Sequence, residues 1–213
     1  MNFFRRLNIL LLVVWTGLPA WLCAETTWEE KDGLVMMEAE ATDSRLGKWK
    51  LMSAVLGFSG EGYLEFTGNT PTNGPPQSDI EYEFKITRPG LYYLALRCAK
   101  EKVGGRTDLA NDCYVSLKGD FEEGPNAGDR HGDDAPKRML KEETKFFGGD
   151  IRKFQWSHGS RLDPGGHDNK RVAIYEFKAD EVYTLTIHGR SQRFKLDKIA
   201  FFHHELNPRK LLK

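Results

Sequence analysis

Residues 80–86 read Ile-Glu-Tyr-Glu-Phe-Lys-Ile. Apolar side chains occupy every second position and charged ones fill the gaps, which is the period of a strand with one face packed inward and the other in water. On either side of it, shorter runs of the same kind recur at 34–39, 62–66, 91–98, 113–117, 172–177, 182–188 and 194–202. Most are bounded by turn chemistry, such as Arg88-Pro89-Gly90, Gly68-Asn69, Lys118-Gly119-Asp120 and Ala179-Asp180. No stretch beyond the N-terminal leader carries a helical repeat. About eight strands joined by turns predict an all-β fold, an antiparallel β-sandwich of the jelly-roll kind. The connections at 41–56, 99–112, 118–145 and 157–171 are rich in Gly, Asp, Lys and Arg. Two of them exceed ordinary loop length, a mark of function or mobility.

The chain begins differently. Arg5 and Arg6 precede the apolar run LNILLLVVWTGLPAWLCA, after which the sequence turns polar at ETTWEEKDG. That order predicts a signal peptide over residues 1–24, too short in its apolar part to span a bilayer. A single domain over 25–213 is the expectation that follows, secreted or periplasmic, with lipidation at Cys23 the lesser alternative because Trp21 and Leu22 are bulky. The leader holds two of the 31 basic residues and none of the 31 acidic ones, so the mature chain has a formal charge near −2. This composition points to neither nucleic acid nor membrane as a partner.

Without Cys23, the remaining thiols are Cys98 and Cys113. Each lies in phase with an apolar set, Leu94 and Leu96 before the first and Val115 and Leu117 after the second. A cross-strand disulfide worth about 3 kcal/mol is one reading; two separately buried thiols is the other.

Five segments in order, DGLVMMEAE, FSGEGYLEF, a strand ending in Arg88-Pro89-Gly90-Leu91-Tyr92, NDCYVSLKG and YTLTIHGRSQRFKLDKIAF, resemble the galactose-binding-like β-sandwich of carbohydrate-binding modules, families 6 and 35 in particular. The resemblance covers nearly all of the chain after the leader. It implies a structural calcium ion, and the residues make chemical sense of one. Calcium takes six to eight hard oxygen ligands, and the carboxylates of Glu38 and Glu40, two positions apart, share a strand face. The resemblance supplies Asp197 as the third ligand, with carbonyls near 59–61 completing the shell. Solvent-facing acids are the alternative.

The resemblance also implies a polysaccharide or glycan partner, bound through an aromatic platform with hydrogen-bonding neighbours. The candidates are Trp49, Trp156, Asn111, Asp112 and Arg190, although either tryptophan could be a core residue instead. Where such modules present an asparagine two residues before the calcium-ligating aspartate, this chain has Lys195. With Arg190, Gln192 and Arg193 it makes the last loop basic, which suits either an anionic sugar or a solvated turn. Asp129, His131, Asp133 and Asp134 in one loop and Asp163, His167 and Asp168 in another lack a catalytic or metal spacing. The sequence therefore predicts no catalytic residue and a binding function, with a protein-interaction sandwich as the alternative and a polysaccharide hydrolase as a weaker one.

Overall fold

The computed structural model describes residues 27–123, 143–164 and 170–212. The expected leader with Cys23, and the loop residues Asp129, His131, Asp133, Asp134, His167 and Asp168, lie outside that set. Along the chain run β1 (Thr27–Glu29), β2 (Leu34–Glu38), β3 (Trp49–Met52), β4 (Tyr63–Phe66), β5 (Gln77–Ile86), β6 (Gly90–Lys100), β7 (Asp112–Lys118) and β8 (Phe121–Glu123). Then come β9 (Thr144–Phe147), β10 (Asp150–Ile151), β11 (Gln155–Ser157), β12 (Ser160–Asp163), β13 (Arg171–Val172), β14 (Ile174–Phe177), β15 (Glu181–Gly189), β16 (Lys195–His203) and a single helical turn, α1 (Pro208–Leu211). No helix among the described residues is long and apolar enough to cross a membrane.

The strands form two sheets. One is seven-stranded in the order β1-β5-β15-β7-β9-β12-β13; the other follows β3-β4-β16-β6-β14-β8, with β2 on β16 and β10 and β11 on β6. Pairing is antiparallel except for β1 on β5 and β10 on β6. The all-β sandwich is thus as the alternation of residues 80–86 requires: Ile80, Tyr82, Phe84 and Ile86 are all buried. Across the sandwich, Phe84 packs on Phe201 and Phe177 of the opposite sheet, at centroid separations of 4.6 Å and 5.6 Å. Such offset and edge-on pairs add roughly 1 kcal/mol each beyond the area they bury. The two sheets share one core, with Leu185, Ile187 and Val115 facing Leu94, Leu96 and Ile199. At Gly189 the approach is so close that a Cβ would run into the Phe66 ring, so only glycine fits.

Three segments expected as loops contain short strands: β3 lies in 41–56, β8 lies in 118–145 and β9 begins at its end, and β12 lies in 157–171. The expected cysteine bridge is also corrected. Cys98 sits on β6 and Cys113 on β7, which belong to opposite sheets, because the chain crosses the sandwich between them. They are therefore not cross-strand neighbours, and both are buried free thiols. The Cys98 thiol donates to Ser157 Oγ at 3.6 Å. Burial pushes it up to about 12 and raises Cys113 as well, so both remain protonated.

Candidate functional site

The first cluster is built by β2, β16 and the turn at 57–61. Ala39 N–H donates to the Asp197 carbonyl (2.9 Å), and Tyr82 Oη donates to the Ala39 carbonyl (2.6 Å), which fixes Glu38 and Glu40 on either side. Ser59 donates from its hydroxyl to Glu38 Oε2 (2.6 Å) and from its N–H to Asp197 Oδ1 (2.8 Å). Glu61 N–H donates to Glu40 Oε1 (2.8 Å). Gly60 lets the carboxylate in, because a Cβ there would collide with Glu40.

The three acids named from the sequence therefore converge on one turn, but their charges are balanced unequally. Arg97 pairs with Asp197, and Lys198 Nζ pairs with Glu38 Oε1 at 2.9 Å. Glu40 Oε2 is buried with no hydrogen-bond partner. Burial, with Glu38 adding repulsion, raises the Glu40 carboxyl above its ordinary value; burial likewise raises Asp197 despite Arg97. An orphaned buried carboxylate oxygen beside hard oxygen donors is the chemistry a divalent cation would satisfy. Among the described residues no three His, Cys, Asp or Glu side chains stand together as a metal cage. A cation here would thus rely on backbone carbonyls as well as on carboxylates.

The second cluster lies where β7 begins and β15 ends. Asp112 and Tyr114 project from the outer face of β7, because Cys113 and Val115 between them face the core. Arg190, just past β15, pairs with Asp112, and its Nε donates to Tyr114 Oη at 3.3 Å. The guanidinium carbon lies 5.8 Å from the centre of the Tyr114 ring. Its Nη1 also donates to Ser191 Oγ (3.1 Å) and reaches the Thr72 carbonyl (3.5 Å). Asn111, oriented so that its amide nitrogen faces acceptors, donates to Asp112 Oδ1 (2.8 Å) and the Asp108 carbonyl (3.1 Å). From below, Asn69 Nδ2 donates to the Arg190 carbonyl at 2.9 Å. Burial raises the Asp112 carboxyl above its usual value even with Arg190 and Lys145 nearby. The next outward residues on β9 and β12, Lys145 and Asp163, form an ion pair of their own.

Asn111, Asp112 and Arg190 thus meet as a unit, and the two tryptophans do not join them. Trp49 is not a loop residue: it starts β3, is 2% exposed, packs on Phe66 at 5.1 Å and donates from Nε1 to the Ser78 carbonyl (2.8 Å). A buried indole has no free face to offer a sugar. Trp156 lies on β11 opposite Arg97, half-buried with Met36 and Tyr93 against Ala95, Ala200 and Phe202, on the outside of the other sheet. Tyr114 was missed in the sequence, although its spacing of two from Asp112 signals the shared face.

The basic loop is also corrected. Lys195 is 2% exposed, with Nζ held by Glu101 Oε1 (2.9 Å), Glu65 Oε2 (3.2 Å) and the Arg193 carbonyl (3.2 Å). With Arg190 on Asp112, two of the loop's three cations are neutralised inside the chain, which leaves little for an anionic sugar to meet.

No family model and no curated protein matches the sequence. Among solved structures, the chain is similar to the Podospora anserina GH26-CBM35 beta-(1,4)-mannanase at 17% identity and a TM-score of 0.48, covering 84% of this chain and 29% of that one. A family 35 carbohydrate binding module from Clostridium thermocellum matches at 13% identity and a TM-score of 0.46, over 80% of this chain and 98% of that one. A Xyl-CBM35 in complex with a glucuronic acid containing disaccharide matches at 12% identity and a TM-score of 0.41, over 78% and 91%. The chain therefore spans under a third of the mannanase and nearly all of the isolated module. In fold, over most of its length, it resembles the carbohydrate-binding modules of family 35.

Proposed function

We propose that the chain is an exported carbohydrate-binding module that reads a glycan at the cluster of Asn111, Asp112, Tyr114 and Arg190. The observation that carries this reading is the disposition of Arg190. Its described hydrogen bonds all leave from Nε and Nη1, so the two N–H groups of Nη2 remain for a ligand. A sugar hydroxyl both donates and accepts, and a fixed guanidinium beside a carboxylate and a half-exposed phenol ring supplies both partners and an apolar surface. Because Asp112 and Glu101 already balance the cations, the reading favours a neutral glycan over a uronate or sulfated one.

A calcium ion held by Glu38, Glu40 and Asp197 is the second part of the proposal, supported by the orphaned Glu40 Oε2 and the Gly60 approach. When bound, it would supply positive charge to the buried acids. Export rests on the pattern of residues 1–24. The alternative, a protein-interaction sandwich, has one observation in its favour, the half-exposed apolar patch of Met36, Tyr93 and Trp156. Affinity electrophoresis of the mature chain through gels containing plant and algal polysaccharides separates the two. Retention abolished by Arg190→Lys and kept by Trp156→Ala supports the proposed site; retention on no polysaccharide overturns it.

A further inference from the structure

On the outer face of the seven-stranded sheet, beyond the Arg190 cluster, three strands bring together a serine, a histidine and an aspartate that the binding role does not use. Ser116 Oγ lies 2.9 Å from His188 Nε2. His188 Nδ1 lies 2.7 Å from Asp79 Oδ1. The three come from β7, β15 and β5, adjacent in the sheet. An imidazole whose Nδ1–H is held by a carboxylate presents Nε2 as an acceptor, and the Ser116 hydroxyl donates to it. That is the arrangement by which a serine is activated for acyl transfer, recognised by geometry and roles rather than by chain order.

The surroundings fit the roles. The His188 side chain is only 6% exposed and Asp79 is 58% exposed, so packing fixes the ring while the relay stays at the surface. Ser116 is half-buried and within reach of solvent. Lys118, two residues on and on the same face, is the cation closest along the strand for a developing oxyanion, and among the described residues its ion pair is an exposed contact to Glu81 Oε1 at 3.1 Å. Thr186, opposite Ser116 in the ladder, reaches the same Glu81 oxygen at 3.5 Å. There the face continues into a hollow lined by Trp28, Thr42, Ser44, Glu81, Glu83 and Thr184. Hydroxyls and carboxylates beside one indole suit a polyhydroxylated molecule better than a long acyl chain.

We propose that Ser116 is an activated nucleophile that takes the acyl group from short O-acyl esters of hydroxylated compounds, such as an acetylated saccharide. Ser116 Oγ adds to the ester carbonyl carbon as its proton passes to His188 Nε2. The adduct expels the alcohol oxygen, which takes that proton, and the acyl group stays on Ser116. Water, deprotonated by His188 in turn, releases the carboxylic acid and restores the serine. Asp79 is a positioning residue that holds the imidazole. Ser116 lies within the β7–β15 ladder, opposite Thr186, rather than at a turn that aims free amides at one point, so oxyanion support falls to side chains and turnover is slow.

The test treats the mature chain with a fluorophosphonate and, separately, with p-nitrophenyl acetate. The proposal predicts one phosphonyl adduct by intact mass, mapped to Ser116, and ester cleavage about a hundredfold above that of Ser116→Ala, the scale of general-base assistance. Asp79→Asn lowers labelling about tenfold at an unchanged melting temperature, and Asp79→Glu recovers part of it, which a merely structural aspartate would not do. An unlabelled protein, a label on another serine, or labelling indifferent to Asp79→Asn overturns the proposal. Because neither reagent is a glycan, labelling without polysaccharide retention would sink the binding reading alone.

Discussion

Replacing Lys195 with methionine keeps the length and apolar stem of the side chain and removes its charge. The ammonium is enclosed by Glu65, Glu101 and the Arg193 carbonyl. Without it, two carboxylates about a fifth exposed, at 20% and 23%, face each other with no cation between them. Breaking one partner from a fully buried ion pair costs roughly 3–5 kcal/mol. Water reaching both glutamates screens part of that, so about 2–3 kcal/mol is the expected loss. For a domain of this size each kcal/mol moves the melting temperature by roughly 2–4 °C, giving a drop of about 5–10 °C. Adding Glu65→Gln and Glu101→Gln removes the repulsion and should recover most of the loss. Thermal unfolding followed by circular dichroism and by tryptophan fluorescence measures both variants. A single variant within about 2 °C of the wild type, or a triple variant no better than the single one, would show that the ammonium does not hold the two carboxylates together, and Lys195 would return to the candidate ligands.

Trp49→Ala should cost about 3–5 kcal/mol through the cavity left beside Phe66 and Phe194, while any glycan retained by the fraction still folded keeps its affinity; a stable variant that loses binding would reverse the assignment. The Glu40 carboxyl is raised in the fold above its unfolded value, so in chelator the folded state pays for its charge at neutral pH and is relieved as pH falls toward the carboxylate range. Glu40→Gln should therefore melt higher than the wild type in chelator at neutral pH, the gap closing on acidification, and melt lower in calcium; identical curves with and without calcium would remove the metal from the account. Thiol titration of the mature chain should find Cys98 and Cys113 unreactive when folded and both reactive in denaturant; no reactive thiol in denaturant would show that they pair.

The long strands were legible because each spans several periods. β5, β6, β7, β15 and β16 run seven residues or more, and their alternation survives in a single sequence. β3, β9, β11 and β12 have three or four residues, too few to establish a period, so β3 and β12 fall inside expected loops and β9 and β11 go without a strand assignment in the sequence. Trp49 shows the cost: its strand buries one residue and exposes Lys50 and Leu51, and the polar surroundings hid a core indole. Trp156 posed the same difficulty, because a three-residue strand does not announce which face it presents. In the candidate site, Asp112 and Arg190 were named one by one, but the ion pair between them joins residues 78 apart. Only the ladder of β7 against β15 reveals it. Lys195 looks like part of a basic surface because its counter-charges are remote in sequence, Glu65 on β4 and Glu101 just past the end of β6. The acids around Ser59 were easier, since the alternation of buried and part-exposed residues runs past the end of β2 at Glu38 and through Ala39 to Glu40 in the turn that follows, although the shared strand the sequence predicts for the two stops at Glu38.

On the proposed function, Arg190 reads a glycan with donors left over from its own ion pair. Calorimetric titration with an oligosaccharide cut from whichever polysaccharide retains the wild type compares the chain with Arg190→Lys, which keeps a positive charge near Asp112 and loses the guanidinium fork. Two charge-assisted hydrogen bonds are at stake, at roughly 1.5–3 kcal/mol each. At least a tenfold weaker Kd is expected for Arg190→Lys, measured at a temperature where both proteins are folded; a variant that binds as tightly as the wild type would show that the guanidinium does not hold the glycan.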